Sequence, residues 1–311
     1  MNWKAKEISL LLVLCVGAPL ISSAHAGKSG EGRPVPIRIS GSGTMLNLTR
    51  RLTEWYAGRN KAVAFQVEGS NATQGFSSLI ENRGEIAQST RKALDGEAGA
   101  LRARRKLEFV EIPVATEFAV IAVNAANPVR SLSIFELRAI LSGQIKNWKQ
   151  VGGGDRPIRL LGRDDSSEVR HLIDEEFMGD ASFSDMIKAL PTNTAVTAAV
   201  GDDPGALAFC DVDLHPQRGV RLVGIKASAS GEAVEPTGEN LRTHKYTLSR
   251  TLYFYFAGPP APELAKFAAW VVSSEGQLVV EAVGLYPLGS ADREEARQRL
   301  ESGSKMAVAT R

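Results

Sequence analysis

A short apolar run, a polar turn and a helix-like segment follow one another repeatedly along this chain. This order occurs at residues 37–56 and 63–80, and again at residues 160–177. A further apolar run at residues 86–89 ends in the hydroxyl of Ser89. When strands alternate with helices, each helix carries the chain back to the same edge of the sheet, so the strands pair in parallel. The sequence therefore predicts an α/β fold in which ligand-binding groups collect in the turns at the carboxyl ends of the strands.

The turn at residues 162–170 carries the most chemically useful groups. It places Arg163, Ser166 and Ser167 directly before a predicted helix start, where backbone N–H groups have no partner within the helix. An arginine, hydroxyls and unpaired N–H groups together suit a bound oxyanion. The alternative is purely structural, because a serine or aspartate of the turn can accept from those N–H groups and simply cap the helix.

The first 26 residues have the three parts of an export signal. Two lysines form a basic region, an apolar stretch follows at residues 8–21, and a run of small residues ends at Ala26. Gly17 and Pro19 interrupt an apolar stretch that is shorter than the ~20 residues a spanning helix needs, so a cleaved signal is favoured over a membrane anchor. The sequence predicts cleavage after Ala26 and a periplasmic location.

Composition sets further limits on function. Of the 311 residues 43% are hydrophobic, which is enough to bury a large core and to divide it between two lobes. The formal charge of +2 gives no support for a nucleic-acid partner, whereas an anionic small molecule remains compatible with it. After signal cleavage only Cys210 remains, so no disulfide within the chain is possible.

The sequence contains no familiar catalytic motif. It has no G-x-S-x-G turn, no H-E-x-x-H helix and no Cys/His spacing typical of a metal site. The histidines outside the predicted signal, His171, His215 and His244, are more typical of surface positions than of a catalytic triad. The sequence therefore favours a binding protein, with no enzyme activity, cofactor or metal.

Five short motifs occur in order between residues 37 and 288. They are S-G-S-G-T-M at 40–45, I-A-Q-S-T-R at 86–91, F-A-V-I-A-V-N at 118–124 with L-S-G-Q-I-K-N-W at 141–148, Y-T-L-S-R-T-L-Y at 246–253, and S-E-G-Q at 274–277 with Y-P-L at 286–288. Together they resemble the phosphate-binding proteins of bacterial ABC phosphate importers, which are type II periplasmic binding proteins.

The resemblance implies a fold of two α/β lobes that are joined by two crossover segments, with the ligand in the cleft between them. Residues 37–115 and 247–288 would form the first lobe, and residues 116–246 would form the second. Residues 289–311 would be a charged tail, either loosely held as a helix or disordered, because they contain few large apolar side chains.

The resemblance also implies which residues hold the ligand. In the family, backbone N–H groups, hydroxyls and one arginine hold the oxyanion. The positions that carry these roles over to this chain are Ser42, Gly43, Thr44, Ser70, Thr73, Ser89, Thr90, Arg163, Ser166 and Ser167.

Some positions depart from the family pattern. Ala72 stands where a ligand serine is expected, Glu168 replaces a glycine and Val169 replaces a threonine. Thr90 stands where some members have an aspartate that accepts a proton from phosphate. A carboxylate at Glu168 would repel an anion if it faced the cleft.

The implied function is capture of phosphate or a related tetrahedral oxyanion by a monomeric, exported protein that delivers it to an ABC transporter permease. The changed loops leave a second interpretation open. In that alternative, the binding-protein fold is reused as a sensor or interaction protein with weak or no phosphate binding.

Overall fold

The computed structural model of this chain describes residues 34–164, 167–210 and 218–309. The predicted signal segment, Ser166 and His215 lie outside the described residues.

Within those ranges the strands are numbered in chain order. They are β1 (Val35–Ser42), β2 (Val63–Ser70), β3 (Ile86–Ser89), β4 (Phe109–Phe118), β5 (Val120–Asn124), β6 (Ser131–Ser133), β7 (Arg159–Gly162), β8 (Lys188–Ala189), β9 (Ala206–Cys210), β10 (Val220–Leu222), β11 (Gly224–Lys226), β12 (Ala233–Val234) and β13 (Ser249–Ala257).

The α-helices are numbered in the same way. They are α1 (Leu46–Arg59), α2 (Ala72–Ile80), α3 (Asp95–Arg105), α4 (Ile134–Leu141), α5 (Glu168–Ile173), α6 (Asn193–Asp202), α7 (Gly238–Arg242), α8 (Pro262–Val271), α9 (Ser274–Ala282) and α10 (Ser290–Ala309). Short 3-10 helices occur at Gly43–Met45 and Trp148–Val151, and a π-helical turn, Asp174–Met178, continues α5.

The first five-stranded sheet has the order β2-β1-β3-β13-β4. As the sequence predicts, β1 pairs in parallel with both β2 and β3. The late strand β13 joins the same sheet and pairs antiparallel with β3 and β4. Its core buries Ile37, Ile39 and Phe254 together with Leu52 of α1 and Phe267 of α8. The sheet is therefore built from both ends of the described chain.

The middle of the chain builds a second five-stranded sheet in the order β10-β5-β9-β7-β8, and a small sheet in the order β12-β11-β6. The core of the second five-stranded sheet contains Ile121 of β5 and Phe209 of β9 together with Trp148 and Cys210. The indole N–H of Trp148 donates to the backbone oxygen of Gly205 over 2.9 Å, so this large buried side chain has its polar atom satisfied.

Two neighbouring segments connect the sheets. β4 leads into β5 through Ala119, whose N–H donates to the backbone oxygen of Leu248 over 2.9 Å, just before β13 begins. The chain thus changes sheet at two adjacent places, between Phe118 and Val120 and again before Ser249.

Helix α10 forms the C-terminal segment. Ala296 and Leu300, four residues apart on one face, are buried in the core of the first sheet. Arg299 between them donates to the backbone oxygen of Glu111 over 2.9 Å and to its carboxylate over 3.1 Å. Helix α10 is therefore docked on the first sheet at Ala296, Arg299 and Leu300.

Candidate functional site

Three loops meet at one edge of the first sheet, because the parallel strands β1, β2 and β3 all end there. Ser42 at the end of β1 pairs with Ser70 at the end of β2, and β3 ends at Ser89. The 3-10 turn Gly43–Met45 and α1 follow β1, whereas Asn71 caps the start of α2 after β2. Hydroxyl groups and helix starts therefore collect at the carboxyl ends of the strands, as the sequence predicts.

Close packing of the backbone holds the first of these loops in place. Gly41 has a φ of +137°, and a Cβ at this position would lie 2.0 Å from the backbone oxygen of Gln88 in β3. The buried side chain of Gln88 in turn donates to the backbone oxygen of Ser42 over 2.8 Å. The hydroxyls of Ser42 and Thr44 then lie 2.6 Å apart. Glycine at position 41 thus permits the approach that places both hydroxyls.

The loops line a cleft of about 490 Å³. Its lining also includes His171 of α5 and two carboxylates of the π-helical turn, Glu175 and Glu176. Five of the predicted binding residues line this cleft, namely Ser42, Gly43, Thr44, Ser70 and Thr90. The lining residues that sequence reasoning missed as ligand groups are Asn71, Arg91, His171, Glu175 and Glu176.

Arg91 is the arginine that lines the cleft beside the three loops. Its two terminal nitrogens bind the carboxylate of Glu97 at 2.9 and 2.8 Å, and Nη2 also donates to the hydroxyl of Thr73 over 3.1 Å. The guanidinium carbon lies 5.2 Å from the centre of the Phe76 ring. The hydrogen bond to Glu97 raises the pKa of Arg91. Arg91 is therefore a cation held in a fixed position at the cleft, although the carboxylate of Glu97 neutralises part of its positive charge.

Among the described residues, four other predicted ligands are absent from this lining, namely Thr73, Ser89, Arg163 and Ser167. Thr73 is exposed and its hydroxyl accepts from Arg91 over 3.1 Å, and the hydroxyl of the buried Ser89 donates to the backbone oxygen of Arg91 over 2.7 Å. Arg163 follows β7 and its Nη1 donates to the side chain of Asn193, at the start of α6, over 3.2 Å. The structure thus brings the predicted residues of the first sheet together but does not place Arg163 in the same lining.

The turn before α5 shows whether Ser167 caps the helix and where Val169 lies. Ser167 is buried at the N-cap position of α5, yet its hydroxyl makes no capping hydrogen bond, so the simple capping alternative does not describe this serine. Val169 is only 1% exposed and packs in the core of the second sheet. The valine found where the family has threonine is thus a core residue in this fold.

A charged cluster borders the cleft where the two sheets approach each other. Nε of Arg250 in β13 donates to the carboxylate of Glu117 in β4 over 2.7 Å, and both side chains are only 6% exposed. Nη1 of Arg250 lies 2.6 Å from Glu175 and 3.2 Å from Glu176. Burial works against the charged form of Arg250, but the carboxylates of Glu117 and Glu175 outweigh it and raise its pKa. One buried cation therefore holds three carboxylates.

A model of the PBP superfamily domain matches residues 22–275. The chain belongs to the PBP superfamily. Within this superfamily, the phosphate-binding protein PstS of Bacillus subtilis is 26% identical over 285 residues, which cover 88% of this chain and 91% of the relative. The phosphate-binding protein PstS of Pseudomonas aeruginosa is 26% identical over 276 residues, which cover 84% of this chain and 85% of the relative.

Solved structures agree with this membership of the PBP superfamily. A possible phosphate binding protein from Planctomyces limnophilus has a TM-score of 0.78 and 26% identity, with coverage of 87% of this chain and 99% of the other. An ABC-type phosphate transport receptor from Vibrio cholerae has a TM-score of 0.60 and 27% identity, with coverage of 80% and 99%. These matches confirm the predicted two-lobed type II fold and the family resemblance.

The relatives also bear on the class of function. They are named as binding proteins and a transport receptor, not as enzymes, which confirms the prediction that the chain is not an enzyme. Among the described helices, none is both long enough and apolar enough to cross a membrane.

Proposed function

We propose that this chain is an exported solute-binding protein that captures phosphate or a related tetrahedral oxyanion and delivers it to an ABC importer. The observation that carries the proposal is the convergence of the β1, β2 and β3 loops on one cleft, where they present hydroxyls and helix starts. Such groups satisfy a dehydrated oxyanion without requiring a large countercharge. The phosphate-binding names of the relatives support the same ligand class.

In this proposal the hydroxyls of Ser42, Thr44, Ser70 and Thr90 donate to the anion, and the N–H of Gly43 adds to them. The loop of Gly43 leads directly into α1, so the positive end of the helix dipole faces the same place. The hydroxyls of Thr73 and Ser89 form hydrogen bonds with Arg91 and influence the anion only through that residue.

The second lobe, formed by residues 116–246, would bind the anion with Arg163, Ser166 and Ser167. Nε of Arg163 is buried and has no hydrogen-bond partner within the described residues. A buried donor of this kind is satisfied when an anion reaches it. Closure of the second lobe onto the first, formed by residues 37–115 and 247–288, would bring Arg163 to an anion held by the three loops.

Calorimetry tests ligand capture directly. The mature chain, starting at Gly27, is titrated with phosphate, arsenate, sulfate and molybdate, and phosphate or arsenate is expected to give heat and a rise in melting temperature. Thr44→Val removes one donor and should weaken binding about 10- to 150-fold, the effect of losing a hydrogen bond to a charged group. Absence of both heat and thermal stabilisation with all four anions would rule out the transport function.

Two further measurements test export and delivery. The intact mass of protein recovered from the periplasm should correspond to a chain that begins at Gly27. Proteoliposomes that contain the cognate permease should accumulate labelled phosphate only when this protein is added outside. A retained N-terminus would contradict the export proposal, and equal uptake without the protein would contradict delivery.

A second candidate is a binding-protein fold reused as a sensor or interaction protein. The specific observation in its favour is that two carboxylates, Glu175 and Glu176, line the cleft and would repel a dianion. The same calorimetric series separates the two functions, since this candidate expects weak or no phosphate binding at physiological ionic strength.

A further inference from the structure

A buried arginine stands where the two sheets approach each other beside the cleft. Arg250 of β13 pairs in register with Glu117 of β4, one strand position before the chain crosses into the second sheet. From there its guanidinium reaches across to the π-helical turn and binds Glu175 and Glu176 with Nη1. One side chain thus links the first sheet to the turn that lines the cleft.

The three carboxylates of this cluster differ in their surroundings. Glu117 is buried with Arg250 and balances its charge, because both side chains are only 6% exposed. Glu175 and Glu176 have side chains that are 47% and 37% exposed, and both line the cleft. One cation against three carboxylates leaves the cluster net negative beside a site that is proposed to bind an anion.

We propose that Arg250 is a positioning residue that holds Glu175 and Glu176 against β13 and away from the ligand, so that an oxyanion can enter the cleft. This inference rests on the proposed function. A carboxylate that is held by a guanidinium accepts its hydrogen bonds there and cannot turn freely towards an anion. Without Arg250, both side chains are free to extend into the cleft and repel the ligand.

Arg250 also joins β4 to the π-helical turn, so its loss removes this structural link in addition to releasing the two carboxylates. A test must therefore remove the bridge in two ways, once with the carboxylates charged and once with them neutral. Neutral glutamines at 175 and 176 abolish the repulsion but do not restore the bridge.

The key variant combines Arg250→Gln with Glu117→Gln, because removing Arg250 alone leaves Glu117 buried without a counterion. In calorimetry with inorganic phosphate at low salt, this variant is expected to bind about tenfold or more weakly than the wild-type protein. The loss should shrink severalfold in about 0.5 M salt, since screening weakens repulsion between partly exposed charges. Adding Glu175→Gln and Glu176→Gln should return the affinity to within about threefold of the wild type.

Two further variants keep the test decisive if the key variant fails to fold. Arg250→Lys keeps a positive charge beside Glu117 but offers no fork of donors for Glu175 and Glu176, so it should weaken binding in the same salt-dependent way. Glu175→Gln with Glu176→Gln leaves the buried pair intact and should bind phosphate several times more tightly than the wild type. Circular dichroism verifies the fold of each variant.

Several outcomes would overturn the inference. Wild-type affinity in a folded key variant would show that Arg250 does not position these carboxylates. A loss that neutral side chains at 175 and 176 fail to restore would assign Arg250 a mechanical role instead. Weaker binding by the double glutamine variant would mean that the carboxylates themselves hold the ligand. If the wild-type protein binds no oxyanion at all, the proposed function and this inference fail together.

Discussion

Replacing Gly41 with alanine should damage both the fold and the candidate site, because this residue lies where β1 meets β3 most closely. Its φ of +137° belongs to a region that residues with a Cβ rarely adopt. An added Cβ would also lie 2.0 Å from the backbone oxygen of Gln88 and 3.0 Å from its carbonyl carbon. Neither atom belongs to a flexible side chain, so the strand itself has to move.

The size of the effect follows from these two contributions. Backbone strain of this kind costs about 1–3 kcal/mol, and forcing an extra methyl group into a packed site costs about 1–3 kcal/mol. A total loss of about 2–6 kcal/mol is expected, which corresponds to a fall in melting temperature of roughly 4 °C or more for a chain of this size. Because Gln88 also holds the backbone of Ser42, displacement of β3 should weaken phosphate binding as well.

Gly99→Ala provides the matched control, since Gly99 lies within α3 and a Cβ there would meet nothing within 4 Å. This control should gain about 0.5–1 kcal/mol from helix propensity. Urea denaturation followed by far-ultraviolet circular dichroism measures both variants, and calorimetry measures their phosphate affinity. If Gly41→Ala were as stable as the wild type, the close approach of β1 and β3 would not be a constraint on this fold.

Three further predictions concern the site, the pH response and the tail. Arg163→Ala should abolish oxyanion binding in calorimetry without changing the circular dichroism spectrum, and unchanged affinity would place Arg163 outside the site. Burial alone would raise the pKa of Glu85, but its hydrogen bonds from Arg38 lower it overall; the resulting stability is present above a pH of about 4.5 and is lost as the pH falls through the folded pKa. Glu85→Gln should therefore be less stable than the wild type at about pH 7, and in urea denaturation this difference should shrink as the pH falls through the folded pKa of Glu85. Leu300→Ala should cost about 2–4 kcal/mol in the same assay because Leu300 is buried, whereas the exposed Leu278→Ala should cost less than about 0.5 kcal/mol.

The parts of the fold that follow from local pattern were predictable from the sequence. Alternation of apolar runs with helix-like segments indicated the parallel strands β1, β2 and β3, and their hydroxyl-bearing ends indicated the cleft loops. The contacts of Arg250 were not predictable in this way, because Glu117 is 133 residues distant in the sequence and Glu175 is 75 residues distant. Only the return of β13 into the first sheet brings these side chains together. Arg91 was visible in a motif, but its fixed orientation depends on Glu97, six residues later in the first turn of α3.

Local sequence pattern and long-range contacts also point to different residues as the ones that affect anion binding in this cleft. The sequence directs attention to Glu168 and Val169, because they interrupt a familiar loop. Val169 instead packs in the core, and the carboxylates that line the cleft, Glu175 and Glu176, lie beyond α5 in the turn that follows it. Their negative charge would oppose a dianion in this cleft, and Arg250 holds both of them. An oxyanion site here therefore needs two conditions at once: donors from the three loops of the first sheet, and a buried cation that restrains the acidic turn beside them.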